Sequence, residues 1–311
     1  MKDKEIVVGI DIGGSHITCL AVDQLSGHIM PDLCIRRQVD SRSEAEMILT
    51  VWAGALKECL STLDPGRLSC ICFAMPGPFD YREGIALFAG VRKYDSLRNI
   101  NIRDEMRQRL SLPAALPLRF LNDATCFAVG EAWLGKAAGY RRTMVITLGT
   151  GFGSAFLEDG IPVESGPEVP PSGCLYHLAY GDTIADDYFS SRWFGKEYDR
   201  RFRLPSPGVK IMTDLAETNA GIREIFTEFG NRLGLFIAPS IKAFRPDCLT
   251  IGGNIARSYS YFGPRFQETL AQEKCDIKIF LSNLGEQAAI LGSTRLADDD
   301  FYSKLPFISK K

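Results

Sequence analysis

The 311-residue sequence has no excess of either charge: 36 Lys and Arg stand against 38 Asp and Glu, a net charge of −2. With a pI of about 6.0, bulk charge gives no reason to expect a nucleic-acid or membrane-surface partner. Long apolar runs are also missing. The best candidate, Leu233 to Phe244, is interrupted by Pro239 and Lys242, so no membrane span is expected. The stretch Met1-Lys2-Asp3-Lys4-Glu5 carries both signs and leads into a strand, without the apolar core and cleavage site of a signal peptide. There is no Gly-x4-Gly-Lys-Ser/Thr, which excludes a P-loop. The early glycines run into a strand and not a helix, so the dinucleotide fingerprint fails in its context. Nine cysteines are an odd number for a disulfide framework. Cys19, Cys70, Cys72 and Cys126 sit in apolar patterns and read as buried thiols. Cys70-Ile71-Cys72 has no second ligand pair nearby to make a metal site. A reduced, cytoplasmic protein is expected.

What is present begins at Gly9-Ile10-Asp11-Ile12-Gly13-Gly14-Ser15. An apolar strand, Ile6–Asp11, delivers a carboxylate into a glycine turn, and Ile17–Asp23 returns as a second strand. Glycine lets backbone N–H groups approach an anion closely. A carboxylate beside a phosphate would repel it without an intervening cation. The pattern therefore suggests a Mg²⁺–nucleotide site, with Asp11 holding the metal or its waters. The competing reading is a plain β-hairpin with a Gly-Gly turn.

A third strand, Ile29–Val39, precedes a helical spacing of Ile48, Leu49, Trp52, Leu56, Cys59 and Leu60 within Ser41–Leu63, with Ser41 or Ser43 as the cap. A buried strand, Leu68–Met75, meets Pro76-Gly77-Pro78. A helix near Ile102–Leu110 and a strand Leu116–Leu121 follow. The opening pattern then recurs about 140 residues on: strand Thr143–Leu148, turn Gly149-Thr150-Gly151-Phe152-Gly153, strand Ser154–Leu157 and a hairpin turn at Asp159-Gly160. The repeat suggests duplicated α/β domains whose two glycine hairpins grip a polyphosphate from opposite walls. With 311 residues, about two domains are expected. The later chain reads mainly helical, near Ile184–Phe194, Val209–Glu217, Ile222–Ala238 and Pro264–Ala271, with strands at Cys248–Ile251 and Ile277–Leu281. A closing helix, Glu286–Ala297, leads into a short polar tail.

Asn122 and Asp123 stand between a strand and a helix (Phe127–Leu134), where α/β folds place reactive side chains. Asp123 could accept a proton from a substrate hydroxyl and Asn122 could fix neighbouring hydroxyls. An Asn-Asp helix cap is the alternative.

In order, Asp11-Ile-Gly-Gly-Ser15, Pro76-Gly77-Pro78, Asn122-Asp123-Ala124, Gly149-Thr-Gly-Phe-Gly153, His177 and Ile251-Gly-Gly-Asn254 resemble the ROK family of sugar kinases and related repressors. The resemblance implies an α/β protein of two ribonuclease-H-like domains, of the actin and hexokinase ATPase type, with a cleft between them. The domains are set at residues 1–121 plus 293–311 and at residues 122–292. It implies a glucokinase-like enzyme, transferring the ATP γ-phosphoryl group to a hexose hydroxyl with Mg²⁺, and a homodimer. By resemblance, Asp123 is the general base; Asn122, Asp123, Gly77, His177, Asp186 and Cys174 contact the sugar. Asp11, Gly13, Gly14, Ser15, Thr150, Gly151, Gly252 and Gly253 serve the nucleotide, with Asp11 acting on Mg²⁺ directly or through water.

The sequence departs from the family pattern in two places. Cys174-Leu-Tyr-His177 has Cys where the family carries Glu, which implies either a different preferred sugar or weak affinity for one that needs that contact. The family's cysteine-rich zinc loop is missing after His177, so no zinc is expected. That short form resembles the zinc-less polyphosphate glucokinases. His177 is then a direct sugar ligand or a structural histidine. A catalytically weak sugar sensor and a polyphosphate-dependent glucokinase are the alternatives to an ATP-dependent kinase. A repressor is disfavoured because no helix-turn-helix precedes the first strand.

Overall fold

The computed structural model describes residues 5–90 and 93–309. Residues 1–4, on which the leader reading partly rests, and Lys310 and Lys311 lie outside the described residues. The chain divides into two compact units, Met1–Leu134 with Glu286–Lys311, and Gly135–Gly285.

In the first unit, β1 (Ile6–Ile12), β2 (His16–Asp23), β3 (Ile29–Gln38) and β4 (Leu68–Met75) join a short hairpin, β5 (Phe79–Asp80) and β6 (Ile85–Ala86), and β7 (Leu118–Asn122). The five-stranded sheet has the order β3-β2-β1-β4-β7. β1 is antiparallel to β2 and parallel to β4. It is apolar and buried at nearly every position, as a central strand covered on both faces must be. Helix α1 (Ala45–Ser61) packs against β2 and β3, and α2 (Ile102–Arg109) follows. α1 begins after Glu44 with no side-chain cap, so neither Ser41 nor Ser43 caps it.

Helix α3 is Asp123–Leu134. It crosses α9 (Gln287–Thr294) at glycine: a Cβ on Gly130 would stand 2.0 Å from the Ala288 carbonyl oxygen, and one on Gly292 1.7 Å from that of Cys126. α9 also lies on β1 and β4. This packing assigns α3 and the whole of α9 to the first unit. The boundary therefore falls after Leu134 and before Glu286, instead of after residues 121 and 292. The expected polar tail forms two short helices, α10 (Asp299–Ser303) and α11 (Pro306–Ser309), because Phe301 and Leu305 are buried.

The second unit repeats the plan. β8 (Arg142–Leu148), β9 (Phe152–Glu158), β10 (Ile161–Pro162), β13 (Cys248–Gly252) and β14 (Lys278–Leu281) form a sheet of order β10-β9-β8-β13-β14. As in the first sheet, the leading strand is antiparallel to its successor and parallel to the strand on its other side. A small hairpin, β11 (Ala179–Tyr180) and β12 (Thr183–Ile184), precedes α4 (Ala185–Tyr188), α5 (Ser191–Phe202), α6 (Val209–Leu215), α7 (Ala220–Phe244) and α8 (Tyr259–Gln272). α7 runs through Pro239, where a break was expected. An interior proline costs roughly 3 kcal/mol. Ile241 and Phe244, both buried beyond it, offset that loss at roughly 1.5–3 kcal/mol each. No described helix is long and apolar enough to cross a membrane.

Candidate active site

In the first unit, the β1–β2 turn sets backbone groups by elimination. Gly13 N–H donates to the His16 carbonyl at 2.9 Å, and the Tyr94 hydroxyl donates to the Gly13 carbonyl at 2.6 Å. The Ser15 carbonyl accepts from Val39 N–H at 3.0 Å. Among the described residues, Gly14 N–H and Ser15 N–H have no hydrogen-bond acceptor, and both residues are exposed. Gly13 was expected to offer its amide to phosphate; the structure spends that amide on the hairpin and leaves those of Gly14 and Ser15. A cavity of about 450 Å³ opens beside the turn, lined by Ser15, His16, Arg36, Gln38, Val39 and Asp40.

Asp11 sits just before this turn, its backbone in the sheet, and its carboxylate has no hydrogen-bond partner among the described residues. Burial, then the charges of Asp123 and Glu286, push its carboxyl up to about 7, against the opposing pull of Lys93 and Arg36. A buried carboxylate set near two others calls for a cation; of the three, Glu286 is already paired with Arg36 at 2.8 Å. No group of three or more His, Cys, Asp or Glu side chains is arranged to hold a metal among the described residues. A single carboxylate suits Mg²⁺, which keeps most of its waters and takes phosphate oxygens as ligands.

Asn122 ends β7 and Asp123 begins α3. Asn122 Oδ1 accepts from the Thr125 N–H at 3.1 Å and the Thr125 hydroxyl at 3.3 Å, which caps α3. The Asn122 amide group donates to Asp123 Oδ1 at 3.0 Å and to the Tyr81 hydroxyl at 3.2 Å. Asp123 Oδ1 also accepts from Ala124 N–H at 2.8 Å. Among the described residues, Asp123 Oδ2 has no donor. The cap and the Asp123 carboxylate are thus one arrangement: the cap fixes Asn122, and Asn122 fixes Asp123. Gly77 adjoins it, since a Cβ there would lie 3.3 Å from the Tyr81 oxygen.

In the second unit the β8–β9 turn is braced by one segment. Ser191 N–H donates to the Gly149 carbonyl at 2.8 Å, and Arg192 donates to the Thr150 carbonyl at 2.7 Å. Phe152 N–H donates to Asp186 Oδ1 at 2.7 Å, and the other Asp186 oxygen pairs with Arg192. Gly149 N–H turns back to the Gly151 carbonyl. The amides of Thr150 and Gly151, both exposed, are left without acceptors among the described residues. Gly253 lies against the start of the same turn: its φ is +86°, and a Cβ would stand 2.3 Å from the Leu148 carbonyl oxygen. Only glycine fits there. Gly252 pairs with Thr147 in the sheet.

Cys174 and His177 adjoin, with Sγ 3.6 Å from Nδ1. The backbone N–H of Leu175 donates to the Ser154 hydroxyl, and Leu175 enters the core. Burial, followed by the charge of Glu164, pushes the Cys174 thiol up to about 11, so it is neutral at pH 7.

The ROK family profile matches residues 7–300. The chain belongs to the ROK family. A glucokinase from Thermotoga maritima is 25% identical, with 93% of this chain and 96% of the relative covered. An N-acetyl-D-glucosamine kinase from Haemophilus influenzae is 24% identical, covering 80% of this chain and 84% of its own. The solved ROK family glucokinase from Streptomyces griseus, in complex with glucose and AMPPNP, superposes with a TM-score of 0.75 at 20% identity over 94% of this chain and 98% of its own. The fold is that of the ROK hexokinases, the actin and hexokinase ATPase type.

Set on this ROK fold, the expected site residues fall into two groups. Asp11, Gly13, Gly14, Ser15, Gly77, Asn122 and Asp123 belong to the first unit. Thr150, Gly151, Cys174, His177, Asp186, Gly252 and Gly253 belong to the second. Asp186, expected at the sugar, has its carboxylate committed to the glycine turn and Arg192. Tyr81, Tyr94, Arg192 and Glu286 escaped the sequence reading. Each acts through a contact distant in sequence, and no local spacing announces it.

Proposed function

We propose that this ROK protein is a sugar kinase that transfers the γ-phosphoryl group of ATP to a hexose hydroxyl. The observation that carries this reading is Asp123, with one oxygen fixed by Asn122 and the Ala124 amide and the other without a partner among the described residues. That second oxygen takes the hydroxyl proton. The sugar oxygen then bonds to the γ-phosphorus, the bond to the bridging oxygen breaks, and ADP leaves. The names of the ROK relatives, glucokinase and N-acetylglucosamine kinase, support a hexose-type acceptor.

The roles divide by unit. In the first, the amides of Gly14 and Ser15 hold phosphate, and Gly77 and Asn122 shape the sugar side. Asp11 is the residue that would hold Mg²⁺ or its waters; when bound, Mg²⁺ supplies neutralisation of phosphate charge. In the second, the amides of Thr150 and Gly151 hold phosphate, with Gly252 and Gly253 on the adenosine side. Cys174 and His177 contact the sugar, and Asp186 braces the phosphate turn. Phosphoryl transfer depends mainly on such positioning and charge neutralisation. The nine free thiols suit a reducing, cytoplasmic setting.

A sensor reading is favoured by one observation, the neutral thiol beside His177, which is a weak hydrogen-bond partner for a sugar hydroxyl. Asp123→Asn separates the two. For a kinase, removing the base lowers turnover on the order of 10²–10⁴-fold while sugar binding persists. Turnover within about threefold of wild type, far short of that loss, removes Asp123 from the role.

A further inference from the structure

The Tyr81 hydroxyl lies 3.3 Å from the Met75 carbonyl oxygen and 3.2 Å from Asn122 Nδ2. A phenol has one proton, and a carbonyl can only accept. The Tyr81 proton is therefore spent on Met75, and toward Asn122 the hydroxyl can only accept. This fixes the sense of the Asn122 amide, with nitrogen facing Tyr81 and Asp123 and oxygen facing Thr125. Both Asn122 N–H bonds are then used, one on Tyr81 and one on Asp123 Oδ1. Thr125 occupies the amide oxygen from the other side. The Tyr81 ring is itself held, 5.4 Å from Phe79 and 6.1 Å from Phe307 between centroids.

We infer that Tyr81 is a positioning residue for phosphoryl transfer: it locks the Asn122 amide, which holds Asp123 Oδ1 and leaves Oδ2 to meet the substrate hydroxyl. The inference rests on the assignment of Asp123 as the base. It gives Asn122 a job besides any sugar contact, and it links the β5 segment to the reacting carboxylate.

Tyr81→Phe keeps the ring and its packing and removes only the hydroxyl. Steady-state kinetics should show kcat lowered roughly 10- to 100-fold, as for a misplaced reacting group. The KM for ATP and the melting temperature should hold at wild-type values. A merely structural role would lower stability and affect both substrates. In an Asn122→Ala background, Tyr81→Phe should cost nothing further, because its effect passes through that amide. An unchanged kcat in Tyr81→Phe, or a loss that adds in full to that of Asn122→Ala, overturns the inference. Asp123→Asn, assayed alongside, tells the two failures apart. If it is inactive while Tyr81→Phe is normal, only the role of Tyr81 falls. If it retains turnover, the base assignment falls, and this inference with it.

Discussion

Replacing Asp11 with Asn should stabilise the protein at neutral and alkaline pH while abolishing its use of Mg²⁺. The carboxyl is raised from an ordinary 3.8 to about 7 by burial and the charges of Asp123 and Glu286. A raised carboxyl binds its proton more tightly folded than unfolded. Stability is therefore lost as pH climbs from about 4 to about 7, and the loss is complete above 7. The full penalty is about 4 kcal/mol, of which roughly 2–3 kcal/mol develops between pH 5 and pH 8. For a domain of this size, that shifts the melting temperature by roughly 5–10 °C. Asn keeps the shape without the charge. Thermal unfolding of both proteins, in chelator, should show the variant gaining on wild type by that margin as pH rises from 5 to 8. Carboxylates that do not feel the Asp11 charge contribute equally in both proteins and cancel in the difference. Added Mg²⁺ with nucleotide should then stabilise wild type more than the variant. A constant difference across pH, or a variant less stable at pH 8, refutes the reasoning.

Cys174→Glu should strengthen hexose binding by up to ~1–2 kcal/mol in calorimetry, since it restores a charged acceptor beside His177; unchanged affinity with a lower melting temperature removes Cys174 from the sugar side. Gly292→Ala should cost roughly 1–3 kcal/mol or more, because its Cβ has no room against the Cys126 carbonyl where α9 crosses α3; calorimetric unfolding within experimental error of wild type counts against that crossing. Elemental analysis of chelator-free protein should find no stoichiometric zinc, and one zinc per chain overturns the reading of the region after His177.

Where one strand, turn or helix carries its own signal, the sequence was enough. β1 and β4 are mostly apolar and end at glycine and proline turns, so their limits are legible to within a residue. The recurrence of strand, glycine turn and strand at β8 revealed the duplicated sheets. What escaped was set by tertiary packing. Pro239 argues locally for a helix end, but burial of Ile241 and Phe244 carries α7 onward. Ser41 and Ser43 have cap chemistry, yet α1 starts later without a side-chain cap. The domain boundary was misplaced because Gly130 and Gly292 pair α3 with α9 across more than half the chain. In the candidate site, Asn122 and Asp123 carry a local signal, their place where a strand meets a helix, and the structure keeps that place. The bonds of Asp186 to Phe152 N–H and Arg192 have no local signal in the sequence. The glycine turns announce themselves by composition; which of their amides remain available depends on partners such as His16, which no motif specifies.

Sugar-dependent ADP release tests the central claim most directly. With ATP and Mg²⁺, wild-type protein should release ADP in the presence of at least one member of a hexose, N-acetylhexosamine and fructose panel, and yield the sugar phosphate in equal amount. Polyphosphate in place of ATP, read by sugar phosphate formed, tests the alternative donor. Binding of a sugar and of nucleotide with no sugar phosphate formed from either donor contradicts the kinase account and leaves a sensor.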